Sequence, residues 1–136
     1  MNIITIQAIY RGAFGLGVAV ILGAMGAHYL EDKLEPKDLQ IFETAVKYQF
    51  YGCFGLFIMG ILNHLGTPVL KLPIICLRFG ILIFCGTLYF LALRPLFEIK
   101  GLNWIGAITP IGGLAMIAAW LWTGFLYFKD SKNALT

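Results

Sequence analysis

Residues 72–93 read LPIICLRFGILIFCGTLYFLAL and contain one charged residue, Arg78, in 22 consecutive positions. A helix needs roughly 20 apolar residues to cross a hydrocarbon core of about 30 Å, so this stretch is long enough to span a membrane. Three further stretches contain no Lys, Arg, Asp or Glu: residues 12–30, 48–70 and 101–128. The sequence therefore predicts an all-α integral membrane protein, a bundle of four transmembrane helices.

The overall composition agrees with a membrane location. Hydrophobic residues make up 60% of the 136 residues and charged residues 12%, whereas soluble domains contain about 25% charged residues. The net charge is +3, and the basic residues are scattered over the loops, so we exclude nucleic acid as a partner. We expect a single transmembrane domain over residues 1–136, with the lipid bilayer as its immediate partner.

The breaks between the apolar stretches give the approximate limits of the spans. We place them at residues 12–30, 44–65, 73–94 and 104–128. Between the first two spans, Pro36 suits the first turn of a helix, and Leu39, Phe42 and Val46 recur at three and four residues. This pattern predicts a short amphipathic helix at the interface, either bent into the second span or continuous with it. Residues 66–68, Gly-Thr-Pro, are expected to end the second span.

Four spans place both termini on the same side of the membrane. Lys and Arg number five on each side, so the positive-inside rule is tied. Six of the seven acidic residues lie on the side opposite to the termini. Acidic residues weigh little in that rule, but they favour termini that face the cytoplasm.

Small residues in the first and fourth spans predict close helix packing. In the first span they recur every four residues, at Gly15, Ala19, Gly23 and Ala27, which lets a neighbouring backbone approach closely. The fourth span has a second group: Gly106, Ala107, Gly112, Gly113, Ala115, Ala118 and Ala119. Two interpretations are open, packing within one bundle or a seam between copies of the chain.

Polar side chains inside the spans gather towards one rim of the predicted bundle. We call this set the polar layer, and it consists of His28, Glu43, Thr44, Tyr48, Gln49, Tyr89 and Thr109, with Pro110 beside it. Polar groups are costly in hydrocarbon, so these side chains are expected to meet one another. Pro110, in the second turn of the predicted fourth helix, either bends that helix or exposes a carbonyl to a ligand.

Four short motifs follow one another along the chain. They read Gly-Ala-Met-Gly-Ala-His at 23–28, Phe-Glu-Thr-Ala-Val-Lys-Tyr-Gln at 42–49, Gly-Thr-Leu-Tyr at 86–89 and Gly-Ala-Ile-Thr-Pro-Ile-Gly-Gly at 106–113. They resemble the motifs GAFGAH, FETAxxYQ, GSLY and GAITPxGG of the YgdD family. These are small integral membrane proteins, known as domain of unknown function 423 and related to the eukaryotic transmembrane protein 256. The resemblance implies four transmembrane helices and no assigned activity.

The chain departs from that family pattern at one position. The pattern usually has a histidine after Tyr-Gln-x-Tyr/Phe, whereas this chain has Gly52 after Tyr51. The absent histidine argues against a metal site or proton relay that needs two histidines in the polar layer. The three cysteines, Cys53, Cys76 and Cys85, fall inside spans and are expected to be buried and unpaired.

Three classes of function are compatible with these features. The first is a structural or accessory subunit, or an assembly factor, of a membrane complex, in contact with other membrane proteins or with copies of itself. The alternative is a carrier, channel or binding protein for a small or lipidic ligand in the polar layer. The third is an enzyme with His28 as general base and Glu43 to orient it. The sequence has no HExxH motif or phosphate loop, so we assign no catalytic residue, metal or cofactor. We expect the bacterial inner membrane.

Overall fold

The computed structural model describes residues 1–66 and 70–134, which contain four long helices. The helices are α1 (Ile3–Met25), α2 (Pro36–Leu65), α3 (Lys71–Leu93) and α4 (Thr109–Asn133). A π-helical turn, Gly26–Leu30, extends α1, and two 3-10 turns, Arg94–Phe97 and Asn103–Ala107, connect α3 to α4. All four helices, with their turns, are long and apolar enough to cross a membrane. The predicted all-α bundle is confirmed.

The first helix begins nine residues before the predicted limit of its span. Asn2 caps it: the Asn2 side-chain oxygen accepts hydrogen bonds from the Thr5 backbone N–H at 2.9 Å and from the Thr5 hydroxyl at 3.0 Å. Asparagine is a preferred N-cap residue because it satisfies a backbone donor that has no partner within the helix. The uncharged stretch starts only after Arg11, which is why the apolar pattern alone placed the start too late.

The amphipathic segment after Pro36 is the beginning of α2, so the continuous alternative is the observed one. Pro36 stands in the first turn, and the 30-residue helix has a length of about 45 Å at 1.5 Å per residue. Phe42 is fully buried and packs with Leu30 and Leu34. The apolar face of this segment therefore covers the end of the first helix.

The chain leaves α2 and enters α4 through different kinds of turn. Gly66 ends α2 with a positive φ of 108°, which glycine adopts without strain. Thr67 and Pro68, also assigned to this break, lie outside the described residues. The fourth span, predicted to begin at about Trp104, opens with the 3-10 turn Asn103–Ala107, and α4 follows from Thr109. Pro110 then lies in the first turn of α4 and not, as predicted, in the second, and its missing N–H costs nothing there.

Helix α2 is the centre of the bundle. It packs along α1 on one side and along α3 on another, and α3 in turn packs on α4, whereas α1 and α3 meet at few positions. The core of the bundle includes Leu56, Met59, Leu77 and Met116, from α2, α3 and α4. The outer helices α1 and α4 leave most of their surface uncovered.

Glycines permit the closest helix contacts. A Cβ atom added at Gly12 of α1 would lie 2.7 Å from the backbone nitrogen of Phe57 in α2. A Cβ atom at Gly112 of α4 would lie 2.9 Å from the Cα atom of Phe84 and 3.0 Å from the Gly80 carbonyl oxygen, both in α3. Real Cβ atoms do not come this close to backbone atoms. These two helix pairs therefore depend on the missing side chain.

The predicted ridge of the first span mostly packs within the bundle. Added Cβ atoms at Gly15 and Gly23 would meet Cys53 and Val46 of α2, and Ala19 is buried. Ala27, the last member of the ridge, is exposed. The arrangement of the first three agrees with packing inside one chain.

We expect Gly112→Ala to destabilise the bundle and Gly124→Ala to leave it unchanged or slightly more stable. A methyl group at Gly112 forces α3 and α4 apart, at a cost of about 1–3 kcal/mol. Gly124 lies on the same helix, and nothing is within 4 Å of a Cβ atom built there, so alanine brings only its better helix propensity. Thermal unfolding of the two variants in detergent measures the difference. Equal melting temperatures would contradict the close α3–α4 contact.

Candidate functional site

Gln49 is the centre of the polar layer and joins three helices. It lies on α2 with 8% of its surface exposed. Its Nε2 donates a hydrogen bond to the Gly15 carbonyl oxygen of α1 at 2.9 Å. Its Oε1 accepts a hydrogen bond from the Tyr89 hydroxyl of α3 at 2.8 Å. One amide thus uses both of its polar ends to link α1 and α3 to α2.

The ring of Tyr89 is held in place by a second contact. It lies edge to face against the buried Phe42 ring, with 5.2 Å between the centroids and 63° between the planes. Aromatic pairs prefer this arrangement because the positive edge of one ring meets the negative face of the other. Phe42 comes from the first part of α2, one and a half to two turns before Gln49. The same helix therefore positions both the ring and the hydroxyl of Tyr89.

A separate pair of hydroxyls links α3 to α4. Thr87 Oγ1 and Thr109 Oγ1 lie 2.7 Å apart, and Thr87 Oγ1 is also 2.8 Å from the Ile83 carbonyl oxygen of its own helix. A hydroxyl has a single hydrogen to donate. If Thr87 donates to Ile83, Thr109 is the donor in the pair. Thr87 is a site residue that our prediction omitted, although it stands in the same Gly-Thr-Leu-Tyr motif as Tyr89.

The other predicted members of the polar layer do not join these two links. His28, Glu43 and Pro110 are exposed. Thr44 donates its hydroxyl hydrogen to the Gln40 carbonyl oxygen of its own helix at 2.8 Å. Tyr48 is 42% exposed, and its ring packs against Phe84 with centroids 5.0 Å apart. The structure thus brings together Gln49 and Tyr89, pairs Thr109 with Thr87, and leaves the other five outside these hydrogen bonds.

A second polar cluster, which the sequence analysis did not identify, lies near the opposite rim. Asn63 Nδ2 of α2 donates to Thr5 Oγ1 of α1 at 2.8 Å, and Asn63 Oδ1 accepts from the Leu70 backbone N–H at 2.8 Å. Thr5 is 1% exposed and also contacts the capping Asn2. The available signal was an asparagine within the apolar second span, because an amide at such a place needs partners.

A cleft of about 540 Å³ lies between α1 and α3, with α2 as its floor. Gln49 and Tyr89 border the cleft at one end, and Arg11 and Arg78 border it at the other. Between these ends its walls are mainly apolar, with Leu56 and Ile81 among them. This volume falls within the range of roughly 300–1,000 Å³ that is typical of ligand pockets.

The cleft is bordered by thiols, an amide, a phenol and two guanidinium groups. Cys53 and Cys85 are free thiols that border it. Within residues 1–66 and 70–134, no three His, Cys, Asp or Glu side chains are grouped to hold a metal ion. In the same residues, every buried side-chain nitrogen or oxygen has a hydrogen-bond partner. The arrangement offers helix-linking hydrogen bonds and an apolar space with two cations.

Comparison with known proteins identifies relatives over most of the chain. A family model described as protein of unknown function, DUF423, matches residues 22–113, which include every residue of the predicted polar layer. No solved structure matches the chain.

Three of the relatives are bacterial proteins named UPF0382 membrane proteins. The protein of Staphylococcus epidermidis is 42% identical over 113 residues, which cover 83% of this chain and 88% of the relative. SSP2132 of Staphylococcus saprophyticus is 44% identical over 115 residues, 83% of this chain and 89% of the relative. YwdK of Bacillus subtilis is 38% identical, with the same shares covered.

We expect Tyr89→Phe and Gln49→Leu to lower the free energy of unfolding by about 0.5–2 kcal/mol each, the range measured for hydrogen bonds between membrane helices. Because the two side chains share one bond, Tyr89→Phe should cost less in the Gln49→Leu background than alone. His28→Ala, at an exposed position of the polar layer, is the control and should change little. Unfolding in mixed micelles measures all four variants. Strictly additive effects would contradict the shared bond.

Proposed function

The chain belongs to the DUF423 family of proteins, and from this premise we propose that it is a structural or accessory subunit, or an assembly factor, of a larger membrane complex. It is an integral membrane protein whose relatives are named bacterial membrane proteins. Its own fold supplies four apolar helices and short connections.

The observation that carries the proposal is the use of the buried polar groups inside the bundle. The Gln49 amide forms hydrogen bonds to α1 with its nitrogen and to α3 with its oxygen, and the hydroxyls of Thr87 and Thr109 form a hydrogen bond with each other. Among the described residues, no buried side-chain nitrogen or oxygen is left without a partner. Groups that serve as hydrogen-bonded links between helices fix the shape of the bundle, which is what a structural subunit requires.

The outer surface supplies what a partner in the membrane would contact. Large apolar side chains of α4 point away from the core, and several are more than half exposed: Ile111, Leu114, Ile117, Leu121, Phe125 and Phe128. Helix α1 exposes a similar set, which includes Phe14 and Ile21. Lipid covers such a face in a monomer, and another membrane helix covers part of it in a complex.

The alternative, a carrier, channel or binding protein with its site in the polar layer, has less support. A polar ligand in that layer needs free donors or acceptors, but the Gln49 amide and the Tyr89 hydroxyl already bond to one another. Exposed His28 and Glu43 remain available at the rim. We propose no enzymatic activity, since no hydrogen bond orients His28 as a general base in the described residues.

The accessory role predicts a directional pattern of crosslinks. A photoreactive residue placed in turn at consecutive positions of α4, expressed at native abundance, should yield adducts of one discrete mass at positions three and four residues apart. Such a stripe reflects one protein partner, whereas lipid contacts all outward positions equally. An adduct of twice the chain mass identifies a second copy as the partner.

The matched control is the same scan along the outward face of α1. The accessory role is abandoned if both helices give only lipid adducts and the extracted protein is a monomer without other proteins. A stripe on one helix and none on the other supports it.

We further propose that the bundle resides in the inner membrane of a bacterium with both termini in the cytoplasm. The acidic residues of the α1–α2 connection, Glu31, Asp32 and Glu35, then face the outside. A green fluorescent protein fused after the last residue should fluoresce, and alkaline phosphatase there should be inactive. Alkaline phosphatase inserted after Lys33 should be active. The reverse pattern would contradict this orientation.

A further inference from the structure

The cleft between α1 and α3 has a pronounced chemical asymmetry along its length. At the end nearer the chain termini it is bordered by Arg11 and Arg78, two of the three arginines of the protein. Its walls are otherwise mostly apolar until Gln49 and Tyr89 at the other end. A cationic mouth above an apolar trough is complementary to a molecule with an anionic head and a hydrocarbon tail.

Within residues 1–66 and 70–134, the hydrogen-bond and ring partners of the two arginines are uncharged. Arg78 Nη1 lies 3.4 Å from Gln7 Oε1, and the Arg78 guanidinium lies over the Phe79 ring, 4.9 Å from its centroid. Arg11 donates a hydrogen bond to the hydroxyl of the neighbouring Tyr10 and lies over its ring. In the described part of the chain, no carboxylate pairs with either guanidinium. Charged groups within membrane spans are costly and usually have a partner, so an anion from outside the chain fits both.

The cleft is long enough to hold a stretch of hydrocarbon chain. Arg78 and Tyr89 are eleven positions apart on α3, which corresponds to about 16 Å along the helix axis at 1.5 Å per residue. An acyl chain that begins at the arginines can therefore extend towards Gln49 and Tyr89, where the hydrogen bonds between α1, α2 and α3 close the cleft.

The side wall of the cleft is open to the bilayer. Phe79, Leu82 and Gly86 of α3 border the cleft and are exposed on the outside of the bundle. A Cβ atom built at Gly86 would meet nothing within 4 Å, so a gap stands at this position in the wall. An occupant can enter sideways from lipid without passing through water.

We propose that this cleft is a binding site for a single anionic phospholipid, with its phosphate on Arg11 and Arg78 and one acyl chain along the trough. Arginine suits this role because its planar guanidinium offers several donors to phosphate oxygens. Gln49 and Tyr89, which support the accessory role, border only the far end of the cleft, whereas the proposed phosphate contacts are made by Arg11 and Arg78. The proposed site stands whether or not the protein belongs to a complex.

The charge part of the proposal is tested by native mass spectrometry of the purified protein in detergent. Phosphatidylglycerol and phosphatidylcholine with the same acyl chains are titrated separately, with inorganic phosphate as a third probe. We expect one phosphatidylglycerol to bind at least tenfold more tightly than phosphatidylcholine. Replacement of both arginines, Arg11→Gln with Arg78→Gln, should weaken phosphatidylglycerol binding by roughly tenfold or more, as expected for charge-assisted hydrogen bonds. Lys129→Gln with Lys132→Gln, on α4, removes the same charge and should have no such effect.

The shape part of the proposal has its own pair of variants. Gly86→Leu places a side chain in the gap and should weaken phosphatidylglycerol binding at least fivefold. Gly124→Leu is the matched control, because a Cβ atom at Gly124 also meets nothing within 4 Å and this residue does not border the cleft. A Cβ atom has free space at both positions, and we expect both variants to keep the melting temperature of the parent protein.

Three outcomes would overturn the proposal. The first is equal binding of phosphatidylcholine and phosphatidylglycerol, which removes the role of charge. The second is unchanged phosphatidylglycerol binding in the double arginine variant or in Gly86→Leu. The third is competition by inorganic phosphate at concentrations similar to the lipid, which shows an anion site without an acyl chain.

Discussion

The hydrogen bonds of Gln49 are the interaction on which the rest of this bundle depends. Within a bilayer the hydrophobic effect does not drive helices together, so close packing and polar contacts must do so. The Gln49 amide reaches the Gly15 carbonyl oxygen only because α1 lies close to α2, and that approach requires glycine at position 12. It reaches the Tyr89 hydroxyl only because Phe42 fixes that ring. The small residues bring the helices close together, and the Gln49 amide then links them by hydrogen bonds.

The packing of α1 and α3 on α2 also explains why the bundle contains a cleft. Helices α1 and α3 both pack on α2 but scarcely touch each other, so a trough is left above α2. Gln49 and Tyr89 close the trough at one end, where they tie the three helices together. Towards the termini Arg11 and Arg78 border it, and the link between α1 and α3 there is the longer Arg78–Gln7 contact of 3.4 Å. The same arrangement of helices thus creates a rigid bundle and an open lateral surface.

The architecture was predictable from the sequence, and the finer geometry only in part. Long uncharged stretches determine four helices because hydrocarbon forces the backbone to satisfy its own hydrogen bonds. Residue types alone predicted the polar layer, and of its members the structure joins Gln49 and Tyr89 by a hydrogen bond. The pairing of Thr109 with Thr87, and the exposure of His28, depend on the rotation of each helix about its axis. That rotation follows from contacts such as Gly80 with Gly112, which no single segment reveals.

Arg78, the single charged residue of the stretch 72–93, borders the cleft. On sequence grounds, Arg78 is an arginine one or two turns inside a helix, whose long side chain can extend to the headgroups. The fold places it, together with Arg11, on the border of a mainly apolar cleft. Extension of Arg78 to the headgroups would not by itself account for the apolar cleft next to it. Two cations, apolar walls and a lateral opening together suit an anionic lipid. This combination arises because α1 and α3 each pack along α2 but scarcely contact each other.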